Sequence, residues 1–331
     1  MHKQRLVIAS PHRYADLCRL WHRWVMRDVV PAFTRAGLDV QIKIFRDTNA
    51  AQFTSELFPG VTFLDNGPGM RDHNEFCDGA LGIDCDFLFF LDSDAFLFDA
   101  EWAVRRFKAF EDSNVAAVSL VPRNGRPAVF ATICRITTYR DLPAPVFACR
   151  YEFPKDWPQG VDLENGDAAI RELTKRGKTV VNVSMDESAD HVANFRSSTA
   201  LRATREIFTR AAGERAFDEF VAQHRAFIVP AQDNVLLGCL YQAIFGKPFA
   251  PDAAGTPLGG SVTLADLRKA LENIRDEQEL ERLHKRFRRS RRATLRMAAR
   301  EGVEVAIPWV LPNESIADPP AQVGRLDVTA T

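Results

Sequence analysis

The segment 86–98, DFLFFLDSDAFLF, constrains the fold more than any other part of the sequence. Its apolar run has no polar alternation, which is typical of a central strand that is covered on both faces. The run ends in two carboxylates two residues apart, Asp92 and Asp94. Charged side chains are costly in such surroundings unless they are paired or bound to a cation. The segment therefore predicts a buried strand that ends in a functional turn.

Short apolar runs alternate with longer amphipathic stretches over the first hundred residues, a pattern that predicts a mostly parallel sheet. We expect strands at 5–10, 39–45, 61–65 and 86–92, and helices at 14–36, 73–82 and, capped by Asp99, 100–112. Further strands are expected at 114–121, 128–138 and 179–185, with a helix at 168–176. The fold class is therefore α/β, with a Rossmann-like central sheet flanked by helices.

The length of 331 residues exceeds that of one ordinary domain. A stretch rich in Gly and Pro, 246–261, is expected to end the compact part. Beyond it Leu264, Leu267, Leu271 and Ile274 keep helical spacing. We expect a main domain over 1–262 and a C-terminal helical extension with a loose tail over 263–331.

Charge and cysteine content exclude several classes of protein. The 43 basic and 44 acidic residues nearly cancel, so the whole chain is not a polyelectrolyte partner for nucleic acid. The six cysteines have no CxxC spacing, which argues against a zinc site or a disulfide framework. No segment resembles a signal peptide or reaches the ~20 apolar residues of a membrane span. These features predict a cytoplasmic protein with reduced, mostly buried cysteines.

The acidic pair falls at the carboxyl end of its predicted strand, which is where open α/β sheets bind ligands. Mg²⁺ and Mn²⁺ prefer a few carboxylates together with the phosphate oxygens of a substrate. Asp92 and Asp94 therefore predict a site for a divalent metal and a diphosphate. The alternative is a plain turn, since Asp-Ser-Asp is also favourable turn chemistry.

The N-terminal strand together with GALGIDCDFLFFLDSDAFL resembles the nucleotide-sugar-binding half of a GT-A glycosyltransferase. The DxD motif of that family is matched by Asp92, Ser93 and Asp94, and the resemblance covers roughly residues 5 to 200. It implies a donor half over about 1–100 and an acceptor half over about 101–262. It also implies metal-dependent transfer of a hexose from a nucleotide-diphosphate sugar to a hydroxyl acceptor, such as a glycan or a lipid-linked glycan. One aspartate would lie near the ribose and the other on the metal.

The segment VDLENGDAAIRELTKRGKTV is similar to the acceptor side of the family. It aligns Glu164 with the acidic residue there, with Asp162 and Asp167 as neighbours. If the reaction inverts configuration, such a carboxylate is the general base that takes the proton of the acceptor hydroxyl. The alternative is an acid at a helix start that the helix dipole stabilises.

The segment DESADHVANFRSST resembles the part of the family that completes the metal shell with a histidine. It makes His191 a candidate metal ligand, because a neutral imidazole binds Mn²⁺. Ser197, with Arg196 and Ser198, is a candidate for phosphate binding. The alternative for His191 is a hydrogen-bonded structural residue.

Base and ribose contacts in such a fold come from the ends of the first two strands, which here carry Ser10, Pro11, His12, Arg13, Arg46 and Asp47. Asp47 would accept from the base or from a ribose hydroxyl. Arg71 would meet the diphosphate as a planar cation. Ordinary turn residues and surface solvation are the alternatives. Asp233 is placed on the acceptor side by its position alone.

The segment 282–300 carries nine basic residues and no acid. A basic amphipathic helix of this kind predicts electrostatic contact with the anionic inner face of a membrane. The alternative is a solvated helix that faces an acidic part of this protein or of a partner subunit.

Three other classes of protein remain open. A nucleotidyltransferase should have a Gly-rich loop after the first strand, and IASPHRYADL has no glycine there. A DxD phosphatase should carry a hydroxyl residue or Val where Ala95 and Phe96 stand. A GT-A-like domain that binds glycans or partners without turnover is the third class.

Overall fold

The computed structural model describes residues 3–46, 53–65, 73–123, 126–127, 129–144, 146–147, 166–195, 228–248, 271–272 and 274–307. Its strands are β1 (Arg5–His12), β2 (Asp39–Arg46), β3 (Val61–Asp65), β4 (Phe87–Leu91), β5 (Ala95–Leu97), β6 (Val115–Ser119), β7 (Pro122–Arg123), β8 (Arg126–Pro127), β9 (Ala131–Arg135), β10 (Thr179–Asn182) and β11 (Val192–Asn194). Its helices are α1 (Ala15–Trp24), α2 (Val30–Arg35), α3 (His73–Ala80), α4 (Ala100–Phe107), α5 (Ile136–Arg140), α6 (Asp167–Lys175), α7 (Met185–His191), α8 (Ile228–Phe245) and α9 (Glu277–Glu301). A π-helical turn, Val25–Val29, joins α1 to α2.

Within the described residues, seven strands form one sheet in the order β10-β6-β9-β4-β1-β2-β3. Strand β1 pairs in parallel with β2 and β4, and the pairs β2 with β3 and β6 with β10 are also parallel. Strand β9 runs antiparallel to both of its neighbours. Two short antiparallel ribbons, β5 with β11 and β7 with β8, accompany the sheet. The mostly parallel α/β sheet confirms the predicted fold class.

Strand β4 explains why its sequence has no polar alternation. Phe87, Phe89 and Leu91 pack in a core with α1, α2 and α4, whereas Leu88 and Phe90 pack in a second core with α3, α5 and α6. All five side chains are buried. Burying each of them is worth about 1.5–3 kcal/mol. A polar side chain anywhere on β4 would therefore lie in one core or the other.

Two predicted strands are shorter in the structure, because helices follow them. The strand expected at 128–138 ends at Arg135, where α5 begins, and the strand expected at 179–185 ends at Asn182. Ser184 then caps α7, since its side chain accepts a hydrogen bond of 3.1 Å from the backbone N–H of Glu187. Ser followed three residues later by Glu is the capping-box pattern, which favours a helix start over a longer strand. The sequence also predicts that His191 follows a strand, and this is wrong, because His191 ends α7.

The C-terminal helix α9 packs on the same core as the N-terminal helix α1. Its Ala293, Met297 and Ala298 belong to the core that also covers one face of the sheet. At its end the carboxylate of Glu301, whose side chain is 1% exposed, pairs with Arg23 and Arg27. Helix α9 and one face of the sheet therefore share a core. The division at residue 262 stays a prediction, because 249–270 lie outside the described residues.

The apolar side of α9 is therefore turned inward, and its exposed side is basic. The exposed basic side chains, spaced three or four residues apart, are Arg282, Lys285, Arg288, Arg292, Arg296 and Arg300. Two of them contact acids of other helices, Arg296 with Asp190 and Arg300 with Asp28. In the part of the chain that the structure describes, no helix is long and apolar enough to cross a membrane.

The cysteines that the structure describes are free, as the sequence predicts. Cys18, Cys77, Cys85 and Cys134 are buried, and Cys239 is half-buried. Burial raises the pKa of the Cys85 thiol to about 11. These thiols pack as small apolar side chains.

Candidate active site

The predicted acidic turn lies at the carboxyl end of β4 and is held at both of its ends. The N–H of Asp92 donates to the carbonyl oxygen of Phe130 over 3.0 Å, and the N–H of Ala95 donates to the carbonyl oxygen of Asp92, also over 3.0 Å. The second bond closes a four-residue turn. Ser93 and Asp94 are buried, the latter 7% exposed, and Asp92 is half-buried. The turn therefore fixes two carboxylates at the edge where α/β sheets bind ligands.

Strand β11 holds Asp94 from its other side. The N–H of Phe195 donates to the carbonyl oxygen of Asp94 over 2.9 Å. The side-chain amide nitrogen of Asn194 lies 3.5 Å from Oδ1 of Asp94, the outer limit of a hydrogen bond. The register Asn194↔Ala95 keeps both residues beside the turn. The β5–β11 ribbon thus forms one wall of the site.

The end of β1 lies beside the end of β4, because the two strands pair in parallel with Ala9 opposite Phe90. Ser10 and His12 are buried there, with 3.0 Å between Ser10 Oγ and His12 Nε2, and the His12 ring meets the Trp21 ring edge-on at 4.9 Å. Burial, and to a smaller extent His22, lowers the pKa of His12 to about 3. His12 is therefore neutral at physiological pH. Arg13 follows, with its guanidinium 5.8 Å from the centre of the Tyr14 ring.

The end of β2 is tied to β3 rather than open. Arg46 pairs with Asp65 and donates to the carbonyl oxygen of Phe53 over 2.9 Å. The hydrogen bond from Arg46 lowers the pKa of the Asp65 carboxyl. The candidates Asp47, Arg71, Asp162, Glu164, Arg196, Ser197 and Ser198 lie outside the described residues.

The structure does not bring His191 together with Asp92 and Asp94. His191 lies beyond the end of the β5–β11 ribbon that is remote from Asp94, where its ring stacks on Trp102 with 4.5 Å between centroids. Its Nδ1 is 3.4 Å from Oδ2 of Asp99, the residue that caps α4. Among the described residues no three His, Cys, Asp or Glu side chains are grouped so as to hold a metal ion.

Asp167 is the first residue of α6 and is buried. It follows Gly166, whose φ of 93° is one that side chains disfavour. A Cβ on Gly166 would lie only 2.5 Å from Cγ2 of Val129, the neighbour of the Phe130 that binds Asp92. The start of α6 therefore packs beside the loop that holds the acidic turn. Stabilisation by the helix dipole accounts for an acid at this position, and a role as base stays a prediction.

Arg286 on α9, one of the nine basic residues of 282–300, is a polar residue of this region that the sequence did not place near the acidic turn. Its Nη2 donates to the carbonyl oxygen of Asn194 and lies 3.1 Å from Oδ2 of Asp233 on α8. The Asp233 side chain is completely buried. The adjacent polar residues 232–234 at the start of an otherwise apolar helix were a usable signal for Asp233. Nothing in the sequence pairs Arg286 with Asn194, 92 residues earlier.

A mostly parallel sheet whose central strand ends in an Asp-Ser-Asp turn is the arrangement that the sequence resemblance implies. The chain has a GT-A-like fold.

No protein-family model and no curated protein matches the sequence. Solved structures with a similar fold include the mannosyltransferase PcManGT from Pyrobaculum calidifontis in complex with GDP-Man and Mn²⁺, at 15% identity and a TM-score of 0.43, over 90% of this chain and 86% of that one. TarS 1-349 from S. aureus is similar at 10% identity and a TM-score of 0.34, over 93% and 98% of the two chains. A putative nucleotide-diphospho-sugar transferase from Desulfovibrio desulfuricans G20 is similar at 14% identity and a TM-score of 0.36, over 54% and 79%. At these TM-scores the similarities do not assign a function, which depends on the site itself.

Proposed function

We propose that the protein is a metal-dependent glycosyltransferase that moves a sugar from a nucleotide-diphosphate sugar to a hydroxyl acceptor, such as a glycan or a lipid-linked glycan. The observation that carries this proposal is the position of Asp92 and Asp94 in a hydrogen-bonded, mostly buried turn at the carboxyl end of β4. Carboxylates held in such surroundings favour a bound cation. A turn that merely reversed the chain would not need two of them.

The oxygen donors present fit a divalent metal that is shared with a substrate. Mg²⁺ is bound in many enzymes by one or two carboxylates together with substrate phosphates, and it keeps several waters. Asp92 and Asp94 supply that number without a third ligand, and none accompanies them among the described residues. When bound, the cation would neutralise the charge that develops on the leaving diphosphate.

The end of β1 suits the nucleoside of the donor. His12 is neutral and buried, and its Nδ1 has no hydrogen-bond partner in the described part of the chain. Such a nitrogen can donate a hydrogen bond to, or accept one from, a base or a ribose hydroxyl, according to the imidazole tautomer. We assign Ser10, His12 and Arg13 to this part of the donor site. The donor roles of Asp47, Arg71 and Ser197 stay predictions.

The acceptor side of the proposed site is the segment 162–167, which carries three acids. If the reaction inverts configuration, an acid must lie within hydrogen-bond reach of the acceptor hydroxyl. The candidates are Glu164, Asp162 and Asp167, of which Asp167 is described and lies at the start of α6. The carboxylate that acts as base would take the proton of the acceptor hydroxyl as its oxygen bonds to the sugar carbon and the bond from that carbon to the nucleoside diphosphate breaks.

The connection between β1 and α1 disfavours a nucleotidyltransferase. Only Arg13 and Tyr14 join the two elements. A Gly-rich loop that cradles a triphosphate needs a longer, glycine-containing segment at this position. The site therefore favours a nucleotide-diphosphate sugar over a nucleoside triphosphate.

Thermal unfolding with a panel of UDP, GDP and CDP, each with and without Mn²⁺ or Mg²⁺, tests the proposal. A ligand at 100 times its dissociation constant adds about 2.7 kcal/mol to the free energy of unfolding. We expect one nucleotide to raise the Tm, and only together with the metal. No shift with any nucleotide would contradict a donor site. Hydrolysis of the matching nucleotide sugar then separates an enzyme from a domain that binds without turnover.

A further inference from the structure

A second group of polar side chains lies beside Asp94, and the proposed function does not use it. It consists of Asn194 on β11, Asp233 on α8 and Arg286 on α9. The guanidinium of Arg286 bridges the carbonyl oxygen of Asn194 and the carboxylate of Asp233. The Asn194 amide reaches towards Asp94. Three elements far apart in the sequence thus meet next to the acidic turn.

Within the described residues, one buried atom of Asn194 and one of Arg286 lack hydrogen-bond partners. They are Oδ1 of Asn194, an acceptor, and Nε of Arg286, a donor, and neither has a partner within the described residues. Buried polar atoms are almost always paired in folded proteins, because an unpaired one keeps the full cost of its lost hydration. Unpaired atoms next to a candidate active site indicate that a ligand pairs them.

The chemistry of the group selects the kind of ligand. A free cation would face the guanidinium of Arg286, and an anion would face the carboxylates of Asp94 and Asp233. A hydroxyl group is neutral and both donates and accepts, so it satisfies Asn194 Oδ1 and Arg286 Nε alike. A neutral molecule with several hydroxyl groups fits best.

Resting on the proposed function, we propose that Asn194, Asp233 and Arg286 form a subsite that binds the hydroxyl groups of the donor's sugar. The sugar is bonded directly to the diphosphate, so it must lie beside the carboxylates of the acidic turn. Helix α9 thereby supplies a side chain to sugar recognition, in addition to its place in the core. The nucleotide part of the donor makes no use of this subsite.

Titration calorimetry with a nucleoside diphosphate and with its sugar conjugate tests the subsite. The probes are UDP and UDP-glucose, GDP and GDP-mannose, and CDP and CDP-glucose, each with Mn²⁺. In Arg286→Lys, the affinity for the sugar conjugate should fall roughly threefold to tenfold, the loss expected for one hydrogen bond, while that for the nucleoside diphosphate stays unchanged. In Asn194→Ala, the affinity for the sugar conjugate should fall by more than that for the nucleoside diphosphate, because the Asn194 amide also contacts Asp94. Arg296→Lys is the matched control, because Arg296 lies on the same helix and donates to the carbonyl oxygen of Asp190. It should leave both affinities unchanged.

The other possible results would contradict the proposed subsite. An equal loss for the nucleotide and for its conjugate in both variants would show that the group only holds Asp94 in place. Unchanged affinities for both ligands would show that water pairs the two atoms. If the wild-type protein binds no probe, the proposed function fails, and the subsite fails with it.

Discussion

Oγ of Ser10 lies 3.0 Å from Nε2 of His12 where β1 ends against β4. This pair is buried, and the Trp21 ring meets the His12 ring edge-on. The native state therefore accommodates a neutral imidazole and excludes a charged one. Protonation of His12 therefore disfavours the folded state.

Lowering the pH below 6.5 should destabilise the protein through His12. Burial lowers the pKa of His12 from 6.5 to about 3, so the unfolded chain takes up a proton that the native state excludes. This contribution is fully present above pH 6.5 and is lost as the pH falls towards about 3, by up to about 1.4 kcal/mol per pH unit. Urea denaturation between about pH 5 and pH 7 measures the slope. The variant His12→Asn should have a shallower slope, and an unchanged slope would assign the effect to another group.

Asp94→Asn should weaken metal-dependent nucleotide binding and keep the fold, because it removes one negative charge without changing the shape of the side chain. We expect the nucleotide affinity in the presence of Mn²⁺ to fall by at least roughly tenfold, as when the surroundings of a metal site are altered. Calorimetry measures it. Asp84→Asn is the control, since that carboxylate is exposed and pairs with Arg5 at 3.0 Å. Retained metal-dependent binding by the Asp94 variant would remove this residue from the site.

Gly166→Ala should destabilise the start of α6. The residue has a φ of 93°, and an added Cβ would lie 2.5 Å from Cγ2 of Val129. Backbone strain costs roughly 1–2 kcal/mol, and crowding of a packed site roughly 1–3 kcal/mol more. Gly177→Ala isolates the strain, because its φ is 70° and nothing lies within 4 Å of an added Cβ. Urea denaturation compares the two, and equal losses would show that Val129 moves aside freely.

Glu301→Gln should loosen the contact between α9 and α1. The carboxylate is buried between Arg23 and Arg27, which are themselves 52% and 33% exposed. We expect a loss of roughly 1–3 kcal/mol in the free energy of unfolding, less than for a fully buried pair because water screens both arginines. Glu101→Gln removes an exposed pair with Arg35 and should cost less than about 1 kcal/mol. Similar losses in the two variants would mean that burial of Glu301 adds nothing to the free energy of unfolding.

The exposed basic side of α9 should bind anionic membranes by charge alone. Its apolar side is used in the core, so insertion into lipid is not expected. Each Lys or Arg near an anionic surface contributes about 1 kcal/mol, so Arg288→Glu with Arg292→Glu should weaken binding by at least roughly thirtyfold. Sedimentation with phosphatidylglycerol vesicles measures this, and added salt should release the wild-type protein. Arg35→Glu with Lys175→Glu makes the same change of charge outside α9. An equal loss of vesicle binding in that variant would show that α9 is not a specific membrane-binding surface.

Features set by neighbouring residues could be predicted from the sequence. The buried strand and its acidic turn follow from one unbroken apolar run. The capping of α4 follows from the chemistry of Asp99, whose Oδ1 accepts a hydrogen bond of 2.9 Å from the N–H of Trp102. The switch from strand to helix at Ser184 was missed. There the apolar alternation of TVVNVSM competes with a helix cap, and the cap prevails.

Features that depend on distant segments could not be predicted. Arg286, Asp233 and Asn194 meet because α9 packs across α8 and β11, and no spacing in the chain encodes that meeting. The basic stretch was singled out for its exposed charges. Arg286 lies within that stretch but is partly buried, and it binds Asn194 and Asp233.

The joint core of α1 and α9 also bears on how the protein folds as it is made. Helix α1 leaves the ribosome early, whereas α9 is synthesised last among the described helices, yet Trp21 and Met297 belong to one core. Until α9 emerges, part of the apolar surface of α1 has no native cover. Such exposed surface on a long nascent chain promotes aggregation and recruits chaperones. Completion of the fold is therefore expected only once α9 has left the ribosome.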